Sequence, residues 1–426
     1  MRSEPGEEID LRLQSLLWGL AGGERDGDGP AVDSLAAARR AVRRRIQRHY
    51  RRRRVRNTLS SGTVAAGLFA GVHQLPDPTR AALPAAGPVA AADPGAGPGL
   101  APSWTGEQEA ADPGALVDDR GRLQVFTTSS AAGWVPRFTG AGPTAGPARP
   151  APTDAMPTRP AWVDPDDRAI WAPQAVRVGE RYVMYFAATS ATGTKCLGAA
   201  VASSPDEEFR PLPQPLWCTP GYWSIDPYPV VDGDRLHLLW RQDDPAHVTG
   251  TIVATELRPD GLAVAGTPVT LLVGAYRWEE GYPGNAGIGP VENPALARHP
   301  ATGEWLLTWS ANLWETQRYA TGLAVCAGPL GPCERVSREE PWVGTTARFG
   351  GAGGLSFLTA TTGGSGEGDQ LFAVLHAYSG AGEAPAAPRV TWVFRVEADA
   401  GTGTGPRYRL VDAVGNRSGP VAVNGS

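Results

Sequence analysis

Several kinds of chemistry have no place in this chain. No glycine-rich nucleotide loop is recognisable, no CxxC pair or nearby histidine pair accompanies the cysteines, and helical periodicity is nearly absent after residue 104. Charged residues make up only 19% and the net charge is −5, so the molecule as a whole carries no field suited to a polyanion. Cysteine is limited to four residues, and no apolar run reaches the roughly 20 residues of a membrane-spanning helix. Turn formers and tryptophan are abundant instead: Gly 54, Pro 40 and Trp 14, with 42% hydrophobic residues. That mix suits an all-β fold with many turns and a sugar-like ligand. A length of 426 residues allows one large domain, or two ordinary ones, plus tails.

The mild net charge hides an asymmetry. Eleven arginines fall between Arg39 and Arg56, and the next segment, Leu59 to Val72, is uncharged and rich in small and apolar residues. A basic run alone reads as a nucleic-acid arm or a solvated face. Joined to that apolar segment it reads as a positive-inside flank and membrane entry, either an anchor or a long signal peptide. Residues 1–57 therefore read as a cytoplasmic-type tail with one amphipathic stretch at Ile9 to Leu20. Residues 58–74 read as the membrane or signal-anchor segment, and 75–103, dominated by Pro, Ala and Gly, as a linker unable to bury a core. The chain is thus expected to be membrane-anchored with an extracellular domain, or secreted, with no nucleic-acid partner. All four cysteines lie after the linker, and Cys196 with Cys218 and Cys326 with Cys333 is the economical pairing among three possible connectivities.

From residue 104 to about 398 short apolar runs alternate with Gly, Pro, Asp and Asn turns. Five hairpins of one design recur, with second strands at Leu123 to Thr128, Arg181 to Ala187, Leu236 to Trp240, Trp305 to Ser310 and Leu371 to Ala377. Their spacing of roughly fifty to seventy residues predicts a five-bladed β-propeller, in which each sheet buries its faces against its neighbours. Residues 399–426 are left as a carboxy-terminal strand and tail.

Three acids occupy similar places in this register: Asp112 in Asp112-Pro113-Gly114-Ala115-Leu116-Val117, Asp226 in Ile225-Asp226-Pro227-Tyr228, and Glu292 in Val291-Glu292-Asn293-Pro294. Each is followed at once, or one residue later, by Pro and then an apolar run. A single Asp-Pro is ordinarily a turn or capping carboxylate. Three at equivalent positions of a propeller would meet at the mouth of the central channel, where convergent carboxylates suggest acid/base chemistry. Units two and five carry Ile170 to Gln174 and Gly350 to Gly354 at the same place, which supply shape rather than charge. Trp104, Trp134, Trp171, Trp223 and Trp278 fall in or beside loops, where a ring can stack on a sugar; Trp240, Trp305 and Trp309 fall in strands and read as core. Trp171, Arg241 and Asn285 are the candidate substrate contacts, and His376, alone in a strand, reads as structural.

These segments, with Trp171-Ala172-Pro173 and its following strand Tyr182-Val183-Met184-Tyr185-Phe186, resemble the blade signatures of glycoside hydrolase family 43 over about residues 104 to 398. The resemblance implies a five-bladed propeller acting on arabinose- or xylose-containing glycans, with an oligo- or polysaccharide substrate, by inversion. It makes Asp112 the general base, Asp226 the acid that orients its neighbours and tunes pKa, and Glu292 the general acid. The family's general acid is commonly followed by Gly-Pro, whereas Asn293-Pro294 stands here. Many members carry in unit five a Gly-His pair whose His helps hold a central ion; Gly353-Gly354 stands here, so no metal ligand and no cofactor is assigned, with calcium the one open alternative. The alternative to a monomeric hydrolase is a catalytically lapsed propeller that binds carbohydrate or a cell-surface partner. A fructan-type propeller is less compatible, since its Arg-Asp-Pro and Glu-Cys signatures are absent.

Overall fold

Twenty strands build five sheets, and each sheet takes four strands consecutive in the chain. The first sheet is β1 (Gly114–Val117), β2 (Leu123–Phe126), β3 (Arg137–Gly140) and β4 (Arg149–Pro150). The second is β5 (Ile170–Val178), β6 (Arg181–Thr189), β7 (Lys195–Ala202) and β8 (Arg210–Pro211), and the third is β9 (Ser224–Asp232), β10 (Arg235–Asp243), β11 (Gly250–Glu256) and β12 (Val269–Val273). The fourth is β13 (Val291–Arg298), β14 (Trp305–Ala311), β15 (Ala320–Cys326) and β16 (Cys333–Arg335), and the fifth is β17 (Phe349–Thr361), β18 (Asp369–Ser379), β19 (Arg389–Ala398) and β20 (Tyr408–Asp412). This computed structural model describes residues 109–144, 149–150, 153–167, 169–243, 250–281, 290–346, 348–361, 368–379, 388–399 and 407–412. The tail 1–57, the segment 58–74, the linker 75–103 and Asn285 lie outside them. Among the described residues no helix is long and apolar enough to cross a membrane.

All neighbours within a sheet are antiparallel, and the innermost strands touch in the order β1, β5, β9, β13, β17 and back to β1. The architecture is a closed five-bladed β-propeller. Every core cluster spans neighbouring blades: Phe126 and Met184 unite the first and second, Tyr185 and Trp240 the second and third, Trp309 and Phe349 the fourth and fifth. Trp240 and Trp309 are fully buried, as their strand positions imply. Burial of such faces is the main term holding the ring, because no single blade could cover its own.

The ring closes without a shared strand. Val125 and Phe138 of the first blade pack with Phe372 and Val374 of the fifth. Polar links join the same seam: Ala110 N–H donates to Arg389 O at 2.9 Å, Ser356 Oγ to Pro113 O at 2.6 Å, and Arg389 pairs with Glu109. The two disulfides are Cys196–Cys218 and Cys326–Cys333, each local to one blade and its adjoining loop.

Candidate active site

One backbone device is repeated at the same end of all five inner strands. Asp112 (φ 51°), Ala172 (φ 44°), Asp226 (φ 57°), Asn293 (φ 47°) and Gly354 (φ 58°) are left-handed, and proline follows in the first four. The pairing register of β5, β9, β13 and β17 shifts at these points, the mark of a β-bulge that re-aims side chains. Asp, Asn and Gly accept such φ values with least strain, and a left-handed alanine is held only where its surroundings demand it. Asp112 and Asp226 thus occupy equivalent places, and the fourth blade's equivalent is Asn293, with Glu292 one residue earlier.

Four of these residues send their N–H to a side chain of the preceding blade. Asp112 donates to His376 Nδ1 at 2.9 Å, Ala172 to Thr128 Oγ1 at 2.9 Å, Asn293 to Asp226 Oδ2 at 3.0 Å and Gly354 to Ser310 Oγ at 2.8 Å. Thr128 in turn donates its hydroxyl proton to Asp112 Oδ2 at 2.7 Å. Asn293 Nδ2 donates to Asp112 Oδ1 at 3.2 Å and to the Tyr319 hydroxyl at 3.0 Å, and Tyr319 donates to Glu292 Oε1 at 2.8 Å. One hydrogen-bonded set therefore contains Asp112, Asp226 and Glu292, contributed by three blades.

Arg241 completes the set. Its Nη1 bonds Glu292 Oε2 and its Nε bonds Asp243 Oδ1 at 2.5 Å. Burial alone would lower the Arg241 pKa, but Asp243 and Glu292 hold it above its usual value, so this cation is permanent. Burial raises Glu292 above the usual carboxylate range, with the Asp112 charge acting the same way against the lowering pull of Arg241 and Tyr319. Asp226 is pushed well up, first by burial and then by the charges of Glu292 and Asp112. Burial holds His376 far below its usual range, so it is neutral. Because its Nδ1 accepts the Asp112 N–H, its proton sits on Nε2.

The sequence-named residues fare unequally. Asp112, Asp226, Glu292 and Arg241 come together, with Arg241 engaged by two carboxylates. Trp171 stands beside Ala172 at the mouth, but Lys195 Nζ lies 3.7 Å from its ring centroid and covers one face. Lys195 is itself tied to Asp167 Oδ2 at 3.0 Å. Trp278 packs on Trp309 with centroids 6.1 Å apart and donates to Arg338 O. Asn285 lies outside the described residues. Sequence reasoning passed over Tyr319, Thr128 and Trp314, and weighed Asn293 only as a departure from a family pattern. Trp314 is 45% exposed, in the loop joining β14 to β15, with the Arg389 guanidinium 4.5 Å from its ring centroid.

Gly353 and Gly354 are required by this packing. A Cβ on Gly353 would lie 2.1 Å from the Tyr319 ring, and one on Gly354 would lie 2.6 Å from His376 Nδ1. Their absence of side chains lets Tyr319 stack on His376, centroids 5.8 Å apart and planes 4° from parallel. A histidine ligand in either place would collide with that stack, and among the described residues no group of three or more His, Cys, Asp or Glu is arranged to hold a metal. The residues present do not fit a central calcium held by a Gly-His pair.

Residues 151–402, more than half of the chain, match the model of Glycosyl hydrolases family 43. The chain belongs to that family. The match begins after Asp112, so the first blade of this family 43 chain is recognised by its place in the ring rather than by the matched sequence. A stretch of 73 residues is 37% identical to xylosidase/arabinosidase 43A of Humicola insolens, spanning 17% of this chain and only 20% of that relative. Among solved structures, a thermostable family-43 glycoside hydrolase superposes with a TM-score of 0.59 at 22% identity, covering 74% of this chain and 96% of that one. The endo-arabinase of Bacteroides thetaiotaomicron gives 0.54 at 19% (69% and 96% covered). The α-L-arabinofuranosidase of Lactobacillus brevis gives 0.53 at 22% (68% and 91%). At such identities these likenesses concern the fold.

Proposed function

We propose that this chain is an inverting glycoside hydrolase of arabinose- or xylose-containing glycans. The observation that carries the reading is the single hydrogen-bonded set linking Asp112, Asp226 and Glu292 through Asn293 and Tyr319. Asp112, whose two oxygens accept from Asn293 and Thr128, is the general base: it takes a proton from a water as that water attacks the anomeric carbon. Glu292, raised by burial, is the general acid and gives its proton to the departing glycosidic oxygen. Bond formation to water and bond cleavage to the aglycone occur on opposite faces of the sugar, which inverts the anomeric centre. Asp226 orients the Asn293 backbone and, by its charge state, tunes the other two. Arg241 stabilises Glu292 once the proton has left. Substrate class is supported by family membership and by the names xylosidase/arabinosidase, endo-arabinase and arabinofuranosidase borne by the relatives. The test is turnover of nitrophenyl α-L-arabinofuranoside, nitrophenyl β-xyloside and arabinan, with the first-formed anomer identified by proton NMR. An inverted product supports the reading; binding of pentose glycans without turnover of any of them overturns it.

We further infer that the propeller is exported, secreted or tethered through residues 58–74. The disulfides Cys196–Cys218 and Cys326–Cys333 and the arginine run ahead of the apolar segment support this. Intact cells expressing the full chain are expected to expose the propeller to added protease or to release it. Recovery of the whole protein in the protected cytosolic fraction would contradict export.

A further inference from the structure

Asn293 is the one uncharged polar side chain among the five left-handed residues at the mouth, and it alone reaches all three acids. Its N–H donates to Asp226 Oδ2 at 3.0 Å, and its Nδ2 donates to Asp112 Oδ1 at 3.2 Å and to Tyr319 OH at 3.0 Å, which continues to Glu292 Oε1 at 2.8 Å. The direction of every bond is fixed. An ionised carboxylate only accepts, so the amide must turn its NH₂ toward Asp112, and the Tyr319 oxygen accepting from that NH₂ leaves the phenol proton for Glu292. An amide cannot pass a proton along such a chain, so the link transmits position and charge preference, not protons.

We propose that Asn293 is a positioning residue that holds Asp112 ionised and aimed while linking its orientation, through Tyr319, to Glu292. The proposal rests on the reading of Asp112 as base and Glu292 as acid. The physical basis is that a hydrogen bond donated to a carboxylate favours its charged form. The charges facing Asp112 are mixed. Glu292 of β13 and Asp226 of β9 face it as fellow acids, and Arg389 of β19 faces it with opposite charge. His376 of β18, with Nδ1 3.7 Å from Asp112 Oδ1, is neutral and presents its lone pair, not a proton, toward Asp112. Thr128 gives the second oxygen its donor. Without Asn293, Oδ1 has no other hydrogen-bond donor among the described residues.

Asn293→Gly is the informative variant, because φ 47° suits glycine and the fold is not strained by the change. Carbon-13 NMR titration of the Asp112 carboxyl in the folded, substrate-free protein is expected to show an upward shift of about one pH unit. The acidic limb of kcat/KM should move up with it, kcat at its pH optimum should fall about tenfold, and KM should change little. Asn293→Ser, whose hydroxyl is too short to bridge to both Asp112 and Tyr319, is expected to act in the same direction. It serves in place of the glycine variant if that one fails to fold. Tyr319→Phe, which keeps the stack on His376, should leave the Asp112 titration near wild type and move the basic limb instead. An unchanged Asp112 titration in a folded Asn293 variant would overturn the proposal. Because the titration needs no turnover, that failure is separable from failure of the hydrolase reading, which wild-type assays decide.

Discussion

Replacing Glu292 with glutamine is expected to lower kcat/KM on arabinosides or xylosides with alkoxide leaving groups by about 100- to 10,000-fold. On dinitrophenyl glycosides, whose leaving group departs without a proton, the loss should nearly vanish. That contrast is the signature of a general acid. Glutamine retains the size of the side chain, its one oxygen can still accept from Arg241, and its NH₂ can donate to the Tyr319 oxygen, so the fold and substrate affinity should survive. The pH profile gives a second check. A general acid works protonated, and the Glu292 pKa lies above the ordinary carboxylate range because it is buried beside Asp112. Activity should therefore hold as pH rises past the ordinary carboxylate range and fall only as pH passes through the raised value. In Glu292→Gln that basic limb should disappear. A variant that loses activity equally on both classes of leaving group, with the limb intact, would remove Glu292 from the acid role.

The electrostatics explain why one fold can hold three acids together. Asp226 and Glu292 are both raised, Asp226 well above its usual range, because burial and the charges of their neighbours disfavour ionising the whole set at once. Arg241, held above its normal pKa by Asp243 and Glu292, supplies a fixed positive charge. Proton loss and gain then belong to the set as a whole, and the limbs of a rate profile report its macroscopic values. Removing Arg241 would leave an ionised Glu292 without the cation that balances its charge.

How far the sequence carried this site is clearest from individual residues. The two inner strands of each blade were legible because apolar runs such as Val183-Met184-Tyr185-Phe186 and Leu306-Leu307 face neighbouring blades on both sides, and turns of Asp-Gly or Gly-Glu punctuate them. The outer strands were not, since β4 and β8 are two residues long and too short to show a period. Asp112 and Asp226 share one left-handed backbone position, and the Pro that directly follows each is the signal of it in the sequence. Glu292 was aligned with them by its charge, whereas the backbone aligns Asn293, the residue whose φ and following Pro match. The rule that finds it is conformational: Asp, Asn and Gly tolerate the left-handed region. His376 could not be read as a support for Asp112, since the two are 264 residues apart and meet only where the ring closes. Arg241 was expected to face substrate, and its engagement with Glu292 and Asp243 depends on a contact between blades three and four. Lys195 over Trp171 pairs the third strand of its blade with the first, a neighbourhood that hydrophobic pattern does not encode.

Asp112→Ala should show the complementary behaviour and the second large effect, a loss of about 100- to 10,000-fold that is the same for good and poor leaving groups. The base acts on the water, so easing departure of the aglycone does not replace it. Positive φ at residue 112 makes alanine mildly strained, and Asp112→Asn separates that strain from lost basicity. Asparagine keeps an acceptor for Thr128 and tolerates the left-handed backbone, yet it cannot take the proton, so its activity should be as low as alanine's. Azide distinguishes the two variants further. As a small nucleophile that needs no deprotonation, it is expected to restore turnover in Asp112→Ala, where the deleted carboxylate leaves room beside Thr128, and to form a glycosyl azide of inverted configuration. In Asp112→Asn the amide fills that space and rescue should be weak. Rescue in neither variant, or an azide product of retained configuration, would move the water-activating role away from Asp112 and with it the inverting assignment.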